Sequence, residues 1–404
     1  MSASNQFTWS VGGGKGAVGR STLTAAMGVA LARMGRSVVL VDADLNPGNL
    51  RSYLGIDNPG TTLLEVLTTH ASIESALLPT VQPGLRLICC TRSSGANLDP
   101  ALIAQMLEFV SSLTGAHVLL DTGSGASRSV LGFFNVARQG ILVITPELQT
   151  VKSAISFLTS ALYQRVEKRF GSHEAIRNAL QHLRLAQSET KPFTMMDFYE
   201  LLCTTDPDLA EGVAALVHGC RPLLIINQAG SDQDQRAAEI MQLATRKLLN
   251  VDIRFCGLIA SDPAVFRSGR QLGALDFEDP EGVAPRQVRD CVVRLLNSVS
   301  PEAQQRRSAA EIDAPLTPTM GLNDNLEVMG KNFHIQTEDV GYAGRYIRTQ
   351  VFHQGKVVLS TRSEYPTTIR DERDRAQVAE IMRRQHFDVI RQIEAHKDKI
   401  PGQE

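Results

Sequence analysis

Short apolar, β-branched runs alternate with longer stretches of helical spacing from the amino terminus to about residue 300. Phe7–Val11, Ser37–Val41, Leu85–Cys89, His117–Leu120, Gly140–Thr145, Pro222–Asn227 and Arg254–Ile259 are predicted strands. Several lack the polar alternation of a half-solvated strand, as expected where a parallel sheet is covered on both faces. Ser21–Met34, Pro100–Leu113 and Asp234–Leu249 carry helical spacing between them. This alternation predicts an α/β fold with a doubly wound, mainly parallel sheet. The rhythm breaks between Tyr163 and Cys220, where the sequence is polar, helical and loop-like. That stretch is about twice an ordinary crossover and reads as a helical insertion over about 164–220.

Beyond the predicted sheet domain of residues 1–299, residues 300–325 are rich in Pro, Ser, Ala and charge and read as a linker. A small α+β module is predicted over residues 326–404. Phe333–Thr337, Tyr346–Phe352 and Lys356–Thr361 look like strands, the last two joined as a hairpin at His353-Gln354-Gly355. A helix from about Asp371 to His396 follows, with Val378, Ile381, Met382, Val389, Ile390 and Ile393 at helical spacing.

Composition narrows the classes. Of 404 residues 43% are hydrophobic and 21% charged, which suits a soluble chain with a full core. A formal charge of -2 supplies no global field toward nucleic acid or anionic lipid. The first residues lack a basic, then apolar, leader, and no run reaches the ~18 apolar residues of a membrane span. The expectation is a cytoplasmic protein without integral membrane association. The six cysteines form no CxxC pair, so buried reduced thiols are expected rather than a zinc or iron–sulfur site.

The chemistry gathers after the first predicted strand, in Gly13-Gly14-Lys15-Gly16-Ala17-Val18-Gly19-Arg20-Ser21-Thr22. Strand, glycine-rich loop, helix is the context a phosphate loop needs. Glycines let the backbone wrap phosphates, and the helix amino terminus adds its dipole. Ser21 is the candidate Mg²⁺ hydroxyl, and Thr22 lies within reach of the α-phosphate side. Arg20 stands where a lysine is expected; it keeps the charge but forks its donors. Phosphate binding should survive this exchange, while transition-state geometry is put in question. The plain alternative is a glycine-rich turn without a ligand.

Two strand ends supply polar partners. Asp42 and Asp44 follow the second strand, at the carboxyl end where open α/β sheets bind ligands. Phosphoryl transfer needs groups that orient water and hold Mg²⁺ through its hydration shell. Asp121 ends the strand His117–Leu120 before Thr122-Gly123-Ser124-Gly125, the Walker B pattern. Either acid group read alone also suits an ordinary strand-end turn.

Lys15 is the informative residue, because a lysine directly after Gly14 has no role in an ordinary phosphate loop. With Gly16, Gly19, Arg20, Ser21 and Thr22 it resembles the deviant Walker A loop of the MinD/ParA family, within the SIMIBI class. Ala17 departs from the second glycine of that pattern. The resemblance extends over about residues 6–290 through Asp42-Ala43-Asp44 with Gly48 and Asn49, the Asp121 turn, Thr145-Pro146-Glu147, Asn227 and Gly257–Asp262. The long insertion and the Arg20 loop look closest to flagellar-number or MinD-like regulators of deltaproteobacterial type.

What the resemblance implies is specific. Lys15 would reach across a homodimer to the partner's nucleotide, with Asp44 positioning the attacking water and Asp42 beside Mg²⁺. Asp121 would hold an Mg²⁺-bound water. Glu147 would face the partner's ribose, and Asn227 and Asp262 would lie by the adenine; a strand-end Asn also caps turns. The ligands would be ATP or ADP with Mg²⁺. The expected function is a slow ATPase working as a dimerisation switch for a cellular assembly, with residues 326–404 recognising a protein partner. A non-hydrolysing scaffold and a DNA-partitioning ATPase are the alternatives. DNA binding is not favoured: Arg267, Arg270, Arg383 and Arg384 are scattered pairs. The last helix is balanced, with eight acidic and eight basic residues between Glu364 and Lys399, unlike a basic lipid-binding tail.

Overall fold

The computed structural model describes residues 7–45, 50–58, 60–91, 98–186, 195–262, 282–298, 322–328, 331–339, 346–354, 356–364 and 372–395. The chain divides into two units, one built on an eight-stranded sheet and the other on a four-stranded one.

In the first unit β1 (Thr8–Gly12) leads into α1 (Arg20–Arg33), then β2 (Val38–Asp42) and the short α2 (Leu50–Tyr53) and α3 (Leu63–Thr69). There follow β3 (Leu78–Pro79), β4 (Leu85–Cys89), α4 (Pro100–Ser112), β5 (His117–Asp121), α5 (Arg128–Val136) and β6 (Gln139–Ile144). Four helices come next, α6 (Leu148–Phe170), α7 (Glu174–Ala186), α8 (Met195–Thr205) and α9 (Pro207–His218). The unit ends with β7 (Leu223–Ala229), α10 (Arg236–Leu249), β8 (Arg254–Ala260) and α11 (Val283–Ser298). The strand order is β3-β4-β2-β5-β1-β6-β7-β8, parallel except for β3 against β4.

The strands are apolar on both faces because both faces are covered. Trp9, Val11, Leu40, Leu119, Ile141 and Ile225 share one core with Leu23, Met27 and Leu31 of α1 and Val288, Val292 and Leu295 of α11. Their alternating neighbours Val39, Val41, Ile88, Val118 and Leu120 form another with Met106 and Val110 of α4 and Phe133 of α5. The doubly wound expectation therefore holds, and it places the carboxyl ends of β1, β2 and β5 side by side at one edge.

Between β6 and β7 the described residues are largely helical, with α6 running unbroken to Phe170 before the further helices. Two expectations are corrected. Cys203 is exposed, while the other five cysteines are buried. In the second unit a fourth strand, β9 (Leu322–Val328), starts inside the stretch read as linker. Its Asn and Asp residues resemble a loop, but Leu322, Leu326 and Val328 face the core. Gly48, Asn49, Arg267 and Arg270 lie outside the described residues.

The second unit is an antiparallel meander, β9 to β10 (Lys331–Asp339), β11 (Tyr346–His353) and β12 (Lys356–Glu364), with α12 (Glu372–Ala395) packed on β9, β10 and β11. Phe333, Ile335 and Val351 meet Val389 and Ile393, and Ile347 meets Val378 and Met382. A polar seam runs between these clusters. Gln385 Nε2 donates to Thr349 Oγ1 at 3.0 Å, the Thr349 and Thr337 hydroxyls lie 2.7 Å apart, and Thr337 Oγ1 is 2.8 Å from His386 Nδ1. His386 Nε2 reaches Asp324 Oδ2 at 3.0 Å. Thr337, Thr349 and His386 are all buried, so removing the imidazole takes one of two partners from the Thr337 hydroxyl, at a cost of about 2 kcal/mol. Hydrogen exchange of β10 and β11 amides in full-length His386→Leu is expected to speed up about 30-fold, with Asp324→Asn, half-exposed, changing it far less. Unchanged exchange in His386→Leu would remove the seam from the account.

Candidate functional site

The loop from Gly13 to Gly19 joins β1 to α1 and is folded by its own backbone. Lys15 N donates to Gly13 O at 3.0 Å, and Gly125 N, from the turn after β5, donates to Gly14 O at 2.6 Å. Gly14 and Gly19 take φ of 80° and 79°, and Ala17 takes 63°. A left-handed conformation costs a residue with a Cβ about 1–2 kcal/mol, so the departure from glycine at Ala17 falls where it is felt. Gly19 ends the loop in that conformation, and α1 has no side-chain cap at its amino terminus. Its first-turn N–H groups are left for an anion. Ser21 and Thr22 are half-buried in that turn, while in the loop before it Gly16 is exposed and Val18 buried.

The acids arrive from neighbouring strands. Asp42 and Asp121 are paired directly across β2 and β5, and Val11 lies opposite Asp121 on β1. Asp44 N donates to Asp42 Oδ1 and Gly123 N to Asp121 Oδ1, each at 3.3 Å. Gly123 has φ 73°, and a Cβ there would stand 2.5 Å from Asp44 Cγ, so this turn accepts only glycine beside the Asp44 carboxylate. Ser21 donates to the Asp121 carboxylate.

Burial dominates the electrostatics. It pushes the Asp42 carboxyl well above the usual carboxylate range, with Asp121 and Asp44 adding repulsion. Burial also raises Asp121, partly offset by the Ser21 hydrogen bond, the Arg20 charge and the Gly123 N–H. Arg20 is buried, which lowers its pKa, while Asp121 and Asp44 oppose that shift. Its Nη1 donates to Lys15 O, and among the described residues its buried Nε has no hydrogen-bond partner. The guanidinium is thus turned back under the loop, with one donor unspent.

Lys15 and Glu147 occupy an exposed rim. Lys15 Nζ lies 3.9 Å from Glu147 Oε2, with the side chains 46% and 68% exposed. Two residues expected to serve a partner subunit are therefore brought together within one chain. Asn227, at the end of β7, donates from Nδ2 to Val18 O at 2.9 Å. Asp262 lies at the end of the described residues beyond β8. Two contributors belong to none of the predicted site residues. Thr122 Oγ1 donates to Val11 O at 2.9 Å, tying the Asp121 turn to β1. Gln228 Nε2 donates to Ala17 O at 3.3 Å, and adjacency to Asn227 is the only hint the sequence offers.

The arrangement offers a nest of N–H groups at a helix terminus, a hydroxyl, three acids and two cations, which suits a magnesium-bound polyphosphate. The chain is similar to the putative septum site-determining protein MinD of Guillardia theta, 35% identical over 145 residues covering 35% of this chain and 53% of that one. It is also similar to the antiactivator FleN of Pseudomonas aeruginosa, 30% identical over 153 residues covering 37% and 54%. The chain thus spans about half the length of these curated relatives. Among solved structures, MinD of Pyrococcus horikoshii complexed with Mg-ADP matches at TM-score 0.48 and 20% identity over 74% of this chain and 98% of that one. The model of the CobQ/CobB/MinD/ParA nucleotide binding domain matches residues 9–272, and the chain belongs to that family.

Proposed function

We propose that the protein is an ATP-dependent dimerisation switch that positions or regulates a cellular assembly, of the cell-division, flagellar or cargo-positioning kind. The observation that carries this reading is the convergence of Lys15, Arg20, Ser21, Asp42, Asp44 and Asp121 at one edge of the sheet. The similarity to septum site-determining MinD and to an antiactivator supports the regulatory half of it. Residues 326–404 are assigned to a protein partner.

The residues present fit Mg²⁺. Asp42 and Asp121 are both held toward their protonated forms by burial and neighbouring acids, which is a local deficit of positive charge. Among the described residues no three His, Cys, Asp or Glu side chains stand ready to chelate a metal directly. The acids would therefore act through water, with Ser21 as direct ligand. The ion supplies charge neutralisation between the acids and the phosphates. The unspent Nε of Arg20 and the bare first turn of α1 are donors for the phosphate oxygens. Asp44, set against Gly123, is placed to orient water, and movement of that glycine turn would report the γ-phosphate. Lys15 leaves its weak, solvated ion pair with Glu147 to reach the nucleotide of a second copy.

One observation favours the second reading, a non-hydrolysing scaffold: Arg20 spends Nη1 on the loop carbonyl of Lys15. Turnover decides between them. Wild type with Mg-ATP is expected to hydrolyse slowly and Asp44→Ala to fall at least ~100-fold, the scale of a lost water-orienting group; Arg20→Lys measures what the exchange costs. No turnover under any partner or lipid condition would sink the switch. In light scattering, ATP should double the mass of wild type and leave Lys15→Ala a monomer. A Lys15→Ala dimer would show that the lysine acts within its own chain.

The acids also set a pH dependence. The folded-state pKa of Asp42 is raised, so its contribution to stability is present below the ordinary carboxylate value and lost as pH rises through the folded value. The melting temperature of nucleotide-free protein is expected to fall over that rise. Asp42→Asn should flatten the slope and melt higher near neutrality, by about 2–4 °C for each ~1 kcal/mol recovered. The same slope in wild type and Asp42→Asn would place the strain elsewhere.

A further inference from the structure

The carboxyl end of β7 leaves its ladder in order to reach the phosphate loop. Pairing with β8 is regular at Ile226 and resumes at Ala229, and the two residues skipped are Asn227 and Gln228. Both send side-chain amides to successive loop carbonyls, Asn227 to Val18 O at 2.9 Å and Gln228 to Ala17 O at 3.3 Å. Gln228 takes φ 58° to do so, and the residue it holds, Ala17, takes φ 63°. Two of the few non-glycine residues in the left-handed region are thus joined by one hydrogen bond.

The peptide plane gives this bond a consequence. In a trans peptide the carbonyl and the following N–H point in opposite directions. Drawing the carbonyls of Ala17 and Val18 outward toward β7 aims the N–H groups of Val18 and Gly19 back into the loop, where a phosphate would sit. A glycine at position 17 would rest in the left-handed region unaided. An alanine does so only while something holds it.

We propose that Gln228 is a positioning residue for the phosphate loop: it holds the Ala17 carbonyl and keeps the Val18 N–H directed at the polyphosphate, standing in for the missing glycine. This rests on the nucleotide-binding reading above. Gln228 touches no reacting atom. Its side chain is partly exposed, so truncating it lets water take the Ala17 carbonyl, and the fold loses little. Loop geometry, and therefore nucleotide affinity, carries the effect.

The test is calorimetric titration of the full chain with Mg-ADP, alongside melting curves. Gln228→Ala is expected to weaken binding about fivefold, the size of one neutral hydrogen bond, with its melting temperature near that of wild type. In an Ala17→Gly background the same change should cost less than about twofold, because glycine needs no brace. Gln228→Glu, which keeps the size and removes the donor, should lose at least as much as Gln228→Ala and covers poor folding of the alanine variant. If wild type binds Mg-ADP and both Gln228 variants bind within twofold of it, the inference fails while the proposed function stands. Equal losses in the wild-type and the Ala17→Gly backgrounds would also overturn it. Absence of binding by wild type would bring down the nucleotide reading as well.

Discussion

Three carboxylates share the edge of the sheet with one buried guanidinium, and most of the site follows from that imbalance. Asp42 and Asp121 stand opposite each other on adjacent parallel strands. Two like charges one strand spacing apart repel by about 3 kcal/mol at an effective dielectric constant of ~20. Arg20 offsets part of this, and the Ser21 hydroxyl and the Gly123 N–H offset more. Burial still leaves both acids biased toward protonation. A fold that only needed stability would put an amide at one of these positions. Keeping the acids makes this edge of the sheet unfavourable to ionise.

Arginine at position 20 suits this interior. Its guanidinium stays charged under burial that would threaten a lysine, and its fork can serve a loop carbonyl and still hold a donor in reserve. The exposed rim behaves differently. The contact between Lys15 and Glu147 is long, solvated and screened, so it contributes little and is readily exchanged. Buried charge is fixed by its surroundings, while exposed charge remains free to be re-paired.

The legible part of the fold was the part in which one physical effect dominated. Continuous apolar runs gave all seven long strands of the first sheet within a residue or two, because burial on both faces leaves no room for polar alternation. The two-residue β3, with a proline at its end, has too few positions to show any pattern. β9 was hidden because Asn323, Asp324 and Asn325 have turn chemistry, and only tertiary contacts make them strand; Asp324 meets His386 and Asn325 meets His334. The loop glycines and the strand-end acids could be picked out from spacing, whereas Lys15 was singled out only by resemblance to a family pattern. Gln228 could not, since a partly exposed glutamine has many uses and its contact bridges more than two hundred residues. Ala17 was visible as a departure, but the left-handed conformation that gives it meaning was not.

A related contrast governs the second unit. Its helix and sheet meet through two small apolar clusters, and oil-like contact alone would tolerate a helix shifted along its axis. The polar seam between them does not tolerate it. Moving α12 by one residue would take His386 away from Thr337 and Asp324 together and leave Thr349 without the Gln385 amide. Since Thr337 and Thr349 are fully buried, no water could replace those partners without opening the interface. The seam therefore acts chiefly on specificity: it adds modest net stability to the correct register and a larger penalty to every neighbouring one.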